Sequence, residues 1–233
     1  MHHFTIDIFC PIWWKGIVTS LFFISIPLLV AKKMSQPNRE TLAKLIGTPL
    51  VFIAIFFHVY SIYIGVWDLQ TSLPLQLCSM SGILSGLVIF WRKQVLFELL
   101  LYWGIPGGIH ALLTPEVSNG NGAFFLFEYY LVHAGIILSP LFLVCFLDMK
   151  PRKNSWFNIF LVSQVFLVSV ALVNYMVGGN YMYLSEKPSV NNPLLLGEWP
   201  WYILDFEIIG LLHFFIVYKI FDWFKLIKQE GAV

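Results

Sequence analysis

Phe124-Phe125-Leu126-Phe127-Glu128-Tyr129-Tyr130-Leu131-Val132-His133-Ala134-Gly135-Ile136-Ile137-Leu138-Ser139-Pro140-Leu141-Phe142-Leu143-Val144-Cys145-Phe146-Leu147 carries one carboxylate and one imidazole in 24 residues. A helix that crosses a bilayer needs about 20 mostly apolar residues, so this run predicts a transmembrane span. Working outward, six more runs have the same character: 11–31, 45–67, 73–91, 95–113, 157–177 and 202–224. The third and fourth are separated only by Arg92-Lys93-Gln94, which predicts a tight helical hairpin. The expected fold is all-α, a polytopic bundle of seven transmembrane helices forming a single integral membrane domain over 1–233.

The whole composition agrees with that reading. Of 233 residues, 58% are apolar and 12% charged, with a mean hydropathy of +0.77. Soluble domains average roughly 25% charged residues, so a soluble globular enzyme is excluded. The 22 Phe, 10 Tyr and 9 Trp suit hydrocarbon and its borders. Fourteen basic against 13 acidic residues leave no basic face to neutralise phosphates, which argues against a nucleic-acid partner. Three scattered cysteines, Cys10, Cys78 and Cys145, form neither a disulfide framework nor a zinc motif. The start of the chain lacks a basic n-region, so its first apolar run reads as a retained helix.

Charge placement sets the expected orientation. Lys32, Lys33, Arg39, Lys44, Arg92, Lys93, Lys150, Arg152, Lys153, Lys225 and Lys228 put eleven basic residues on one side, whereas the opposite loops hold Lys187 alone. The positive-inside rule then places the N-terminus outside and the C-terminus in the cytoplasm. In this topology the intramembrane polar residues concentrate toward the outer half: His58, His110, Glu128, His133 and Asn174, with Asn180 and Tyr181 just beyond. Ionisable groups inside spans are costly and ordinarily face the bundle interior or water. Trp199, Trp201 and Tyr202 read most simply as an aromatic belt.

Cys78 and His133 form a candidate nucleophile and base. Counted from Leu73, Cys78 is about 7–8 Å into its helix, and His133 is about 13–14 Å below Phe124, at 1.5 Å per residue. A buried thiol alone is inert; an imidazole in reach takes its proton and makes the sulfur a nucleophile. The plain alternatives are a small apolar core residue for Cys78 and a packing histidine for His133. No His-Glu-x-x-His motif or nucleotide-binding loop is present. His58, His110 and His133 have no spacing signature as metal ligands, so neither metal nor cofactor is expected.

Leu73-Pro74-Leu75-Gln76-Leu77-Cys78, His110-Ala111-Leu112-Leu113-Thr114-Pro115, His133, Gly179-Asn180-Tyr181-Met182-Tyr183-Leu184 and Trp199-Pro200-Trp201-Tyr202 occur in this order. Together they resemble the bacterial YwaF-like branch of the transmembrane protein 164 acyltransferase family. The resemblance implies acyl transfer between phospholipids in a bacterial plasma membrane, with Cys78 as nucleophile and His133 as base. Position alone then nominates His110, His58, Asn174, Asn180 and Tyr181 as substrate-binding residues. Two other readings stay open: a lipid ester hydrolase or thioesterase using the same pair, and a non-enzymatic transporter or ligand-binding membrane subunit.

Overall fold

The computed structural model describes residues 4–117, 120, 122–188 and 196–230, with 224–230 described by their helical backbone alone. The helices are α1 (Pro11–Ala31), α2 (Gln36–Tyr63), α3 (Leu77–Phe90), α4 (Gln94–Leu99), α5 (Ile105–Leu113), α6 (Ala123–Phe146), α7 (Ser155–Val177) and α8 (Tyr202–Glu230). Among the described residues a single antiparallel pair, β1 (Phe4–Thr5) with β2 (Glu116–Val117), and two short turns, π-helical at Leu100–Gly104 and 3-10 at Tyr181–Tyr183, complete the regular structure. Among the described residues, five helical stretches are long and apolar enough to cross a membrane: Pro11–Ala31, Gln36–Tyr63, Gln94–Leu113, Ala123–Phe146 and Ser155–Val177.

Local chemistry explains where these elements begin and end. Pro11 opens α1 where its missing N–H costs nothing, and the Cys10 sulfur accepts from Trp13 N–H at 3.4 Å. The second apolar run starts its helix at Gln36, well before Leu45, with Pro37 in the first turn. It stops at Tyr63 rather than Trp67, because Gly65 follows at φ +74°, a conformation that suits glycine. The third run is shorter than expected from 73–91. Its helix starts at Leu77, since Pro74 supplies no N–H and Leu75 N–H turns back to Leu73 O at 2.8 Å. At 14 residues, or about 21 Å, α3 is shorter than the roughly 30 Å hydrocarbon core. Between α4 and α5 the chain makes a π-helical turn, Leu100–Gly104, just ahead of Pro106. Proline cannot donate and crowds the preceding turn, and a widened ladder accommodates both.

The chain separates into two compact units. The first holds residues up to Val66 and Leu77–Met149, organised around α6, which buries Tyr129, Val132, His133, Ile136, Leu138, Phe142 and Leu143. Small residues bring its helices together. A Cβ placed on Gly86 of α3 would lie 2.8 Å from Val51 N and 3.0 Å from Gly47 O, so α2 and α3 touch backbone to backbone. The Tyr130 ring fills the space above Gly16 of α1 in the same way. At one end of this unit Arg92 forks onto both Glu40 carboxylate oxygens, while Arg39 donates to Ala31 O at 3.0 Å and lies 5.3 Å from the Phe146 ring centre. Arg92 and Glu40 are each about a third exposed, so Glu40→Gln is expected to cost under ~1 kcal/mol, read as a small shift in thermal unfolding.

The second unit comprises Trp67–Gln76 and the chain from Lys150 onward. Its helices α7 and α8 meet through the Trp156–Phe215 ring pair and a Gln164–Glu207 hydrogen bond. α7 ends on Gly178 at φ +68°, whose N–H returns to Asn174 O.

Candidate functional site

Cys78 and His133 both belong to the first unit and flank one step of α5. Cys78 is the second residue of α3, not five residues into a helix, because α3 begins at Leu77. Its side chain is half-buried and unpaired. A Cβ on Gly107 would sit 3.2 Å from the Cys78 Sγ. The next residue, Gly108, faces the other way: its Cβ would meet His133 O at 3.2 Å and Ile137 Cγ1 at 2.9 Å. The Gly107-Gly108 step therefore lies against the thiol on one side and the His133 turn of α6 on the other. One turn further along α3, a Cβ on Gly82 would meet Val132 Cγ1 at 2.7 Å, so α3 also packs directly on α6 beside His133.

His133 is buried, and its Nδ1 is 2.7 Å from Tyr129 O, one turn back. A carbonyl oxygen only accepts, so Nδ1–H donates and the neutral ring keeps its lone pair on Nε2. The Tyr129 ring lies 4.2 Å from the imidazole centre to centre. Tyr129 is itself held: its hydroxyl donates to Ala111 O at 2.8 Å and accepts from Glu116 N–H at 3.3 Å. The imidazole is thus fixed in tautomer by a backbone carbonyl and in plane by an anchored ring.

The remaining nominated residues are placed differently. His110 is exposed, one turn beyond Gly107 on α5. His58 is half-buried on α2 with the Phe57 ring 5.4 Å away. Asn174, Asn180 and Tyr181 belong to the second unit, where they clasp its loop. Asn174 donates to Tyr181 O at 2.9 Å and accepts from Tyr181 N–H at 2.8 Å. The Tyr181 hydroxyl donates to Leu69 O and accepts from Leu73 N–H. Burial pushes this phenol above its usual pKa, so it keeps the proton it donates. Asn180 binds the backbone of Ser185 and Glu186. Because Asn174 is 3% exposed, Asn174→Ala strands a buried N–H and C=O. It is expected to cost about 2–4 kcal/mol, seen as a lower unfolding temperature in detergent.

Among the described residues, no three His, Cys, Asp or Glu side chains cluster as metal ligands. Gly107, Gly108 and Tyr129 were not singled out by sequence reasoning. The adjacent glycines inside a helix, and a tyrosine one turn before the histidine, are the signals that point to them.

Long apolar helices with few charged residues define a helical membrane-type protein. The chain belongs to the TMEM164 family, whose model matches residues 3–218. It is similar to an uncharacterized protein of Treponema pallidum (strain Nichols), 22% identical over 176 residues, covering 74% of this chain and 71% of that protein. No solved structure matches.

Proposed function

We propose that this chain is an integral membrane acyltransferase that moves a fatty acyl group between phospholipid-type substrates through a Cys78 thioester, with His133 as the base. The observation that carries this reading is the arrangement of Cys78 and His133 about the Gly107-Gly108 step, with the imidazole held as its Nδ1–H tautomer. Nε2 takes the thiol proton, the thiolate attacks the ester carbonyl, the C–O bond breaks, and the imidazolium returns its proton to the departing alcohol. In the second half, Nε2 takes a proton from the acceptor hydroxyl. That oxygen attacks the thioester, the C–S bond breaks, and the thiol re-forms.

In this reading the chain is one membrane domain of seven spans in a bacterial plasma membrane, with its N-terminus outside. The five long apolar helices supply five spans, and the short α3 and the long α8 are the other two. The one-sided distribution of basic residues supports the orientation. His110 and His58 contact the lipid headgroup, and Asn174, Asn180 and Tyr181 are substrate-binding residues within the second unit.

The test uses purified protein in nanodiscs containing a phospholipid with an alkyne-tagged acyl chain and a lysophospholipid acceptor. The expected result is a hydroxylamine-sensitive acyl adduct on Cys78, absent in Cys78→Ala, and tagged acyl chain on the acceptor. Release of free fatty acid with none on the acceptor would make the protein a hydrolase. No adduct and no redistribution of acyl chains would overturn the proposal.

A further inference from the structure

The space beside the Cys78 sulfur has a shape of its own. Outside its own helix and its chain neighbours, Gly107 has only the Cys78 Sγ within 4 Å of where its Cβ would stand, among the described residues. The glycines around it differ. Gly104 would meet Ile136 at 2.6 Å, and Gly108 would meet Ile137 and a backbone carbonyl, so α5 is packed on those faces and open on this one. Cys78 as a residue is half-buried. The Gly107 face of α5 continues one turn on to the exposed His110.

One turn along α3 a polar group is also buried. Ser81 lies three residues after Cys78 on α3, on the same helical face. It is fully buried, and its hydroxyl has no hydrogen-bond partner among the described residues.

We infer that Gly107 is the access residue of the Cys78 centre: its missing side chain leaves the opening by which a fatty acyl ester carbonyl reaches the sulfur along the Gly107–His110 face of α5. This inference rests on the acyltransferase reading for the identity of the substrate and on the geometry for the opening. A carbonyl carbon bonded to sulfur carries its oxygen and α-carbon in the shell of space that an added methyl group at Gly107 would occupy. Glycine at this position therefore acts as a size limit on what can be attached to Cys78.

The experiment uses the full chain in nanodiscs, in a Cys10→Ser, Cys145→Ala background so that Cys78 is the sole thiol. Gly107, Gly107→Ala and Gly107→Val proteins are compared with a small reagent, methyl methanethiosulfonate, and with an activated long-chain fatty ester. One methyl group in a fitted pocket is worth about tenfold or more. Gly107→Ala is thus expected to react with the small reagent near the parent rate and to be acylated at least about tenfold more slowly. Gly107→Val is expected to block both. Acylation of both variants at the parent rate would overturn the access role while leaving the acyl reading intact. If the parent takes the small reagent but no acyl group, and Gly107→Val still blocks that reagent, the acyl reading falls and the access role stands. If a variant leaves the monodisperse folded peak, the parent protein alone is reacted with methyl and with bulky branched methanethiosulfonates; much slower reaction of the bulky reagent is expected, and equal rates would overturn the size limit.

Discussion

His133→Ala is expected to slow formation of the Cys78 acyl adduct by about 10²–10⁴-fold, the usual contribution of a positioned general base. The thiol sits against packed helices, where an unassisted sulfur keeps its proton and reacts slowly. On the acyltransferase reading, what the substitution removes is the Nε2 lone pair, which is left unprotonated because Nδ1–H is committed to Tyr129 O. The cavity left by the imidazole is bounded by the Tyr129 ring, which retains its own bonds to Ala111 and Glu116. The fold is thus expected to survive, with the unfolding temperature shifted far less than the acylation rate. Added imidazole is expected to restore part of the rate in His133→Ala and none in Cys78→Ala. An acylation rate within a factor of about two of the parent would remove His133 from the mechanism, because a general base is worth far more than that.

Gly86→Leu is expected to abolish folded protein. Two of the atoms nearest to a Cβ at Gly86 are Val51 N at 2.8 Å and Gly47 O at 3.0 Å. These are backbone atoms of α2, so no rotamer change relieves the clash, and α2 and α3 must move apart. Overpacking a well-filled interior ordinarily costs about 1–3 kcal/mol when side chains can adjust; a backbone contact leaves less room for adjustment. Separation of these helices also withdraws α3 from α6, where Gly82 meets Val132. The measurement is the yield of monodisperse protein after detergent extraction, with Gly65→Ala as the comparison. Gly65 has open space around it but a positive φ, so Gly65→Ala is expected to lose stability modestly through backbone strain and still fold. Normal yield and stability for Gly86→Leu would mean that α2 and α3 do not pack through this contact.

Much of the helical layout was legible in one dimension. The run at 11–31 coincides with α1, and 124–147 and 157–177 fall within a residue or two of α6 and α7. Apolar length, terminal prolines and closing glycines are local signals, and each acts within a turn or so of its own position. The reading failed where a bond from elsewhere or a local backbone device overrode hydropathy. Leu73-Pro74-Leu75-Gln76 is apolar enough to continue a helix, yet Tyr181 and Met182 claim its backbone and side chains. The π-turn at Leu100–Gly104 is hidden in an unbroken apolar run.

The candidate site divides in the same manner. Cys78 and His133 are a thiol and an imidazole in an apolar chain, and their expected roles as nucleophile and base came from the family resemblance and not from spacing. Their common relation to Gly107 and Gly108, the tautomer of His133 and the opening at the sulfur are properties of three helices together. By itself, the sequence determined that this is a chain of long apolar helices with few polar groups to place. The tertiary structure decided which faces of those helices meet. Lipid and protein interior are equally apolar, so hydropathy contains almost no information about which face turns inward; the contacts are chosen by shape, where small residues let backbones approach.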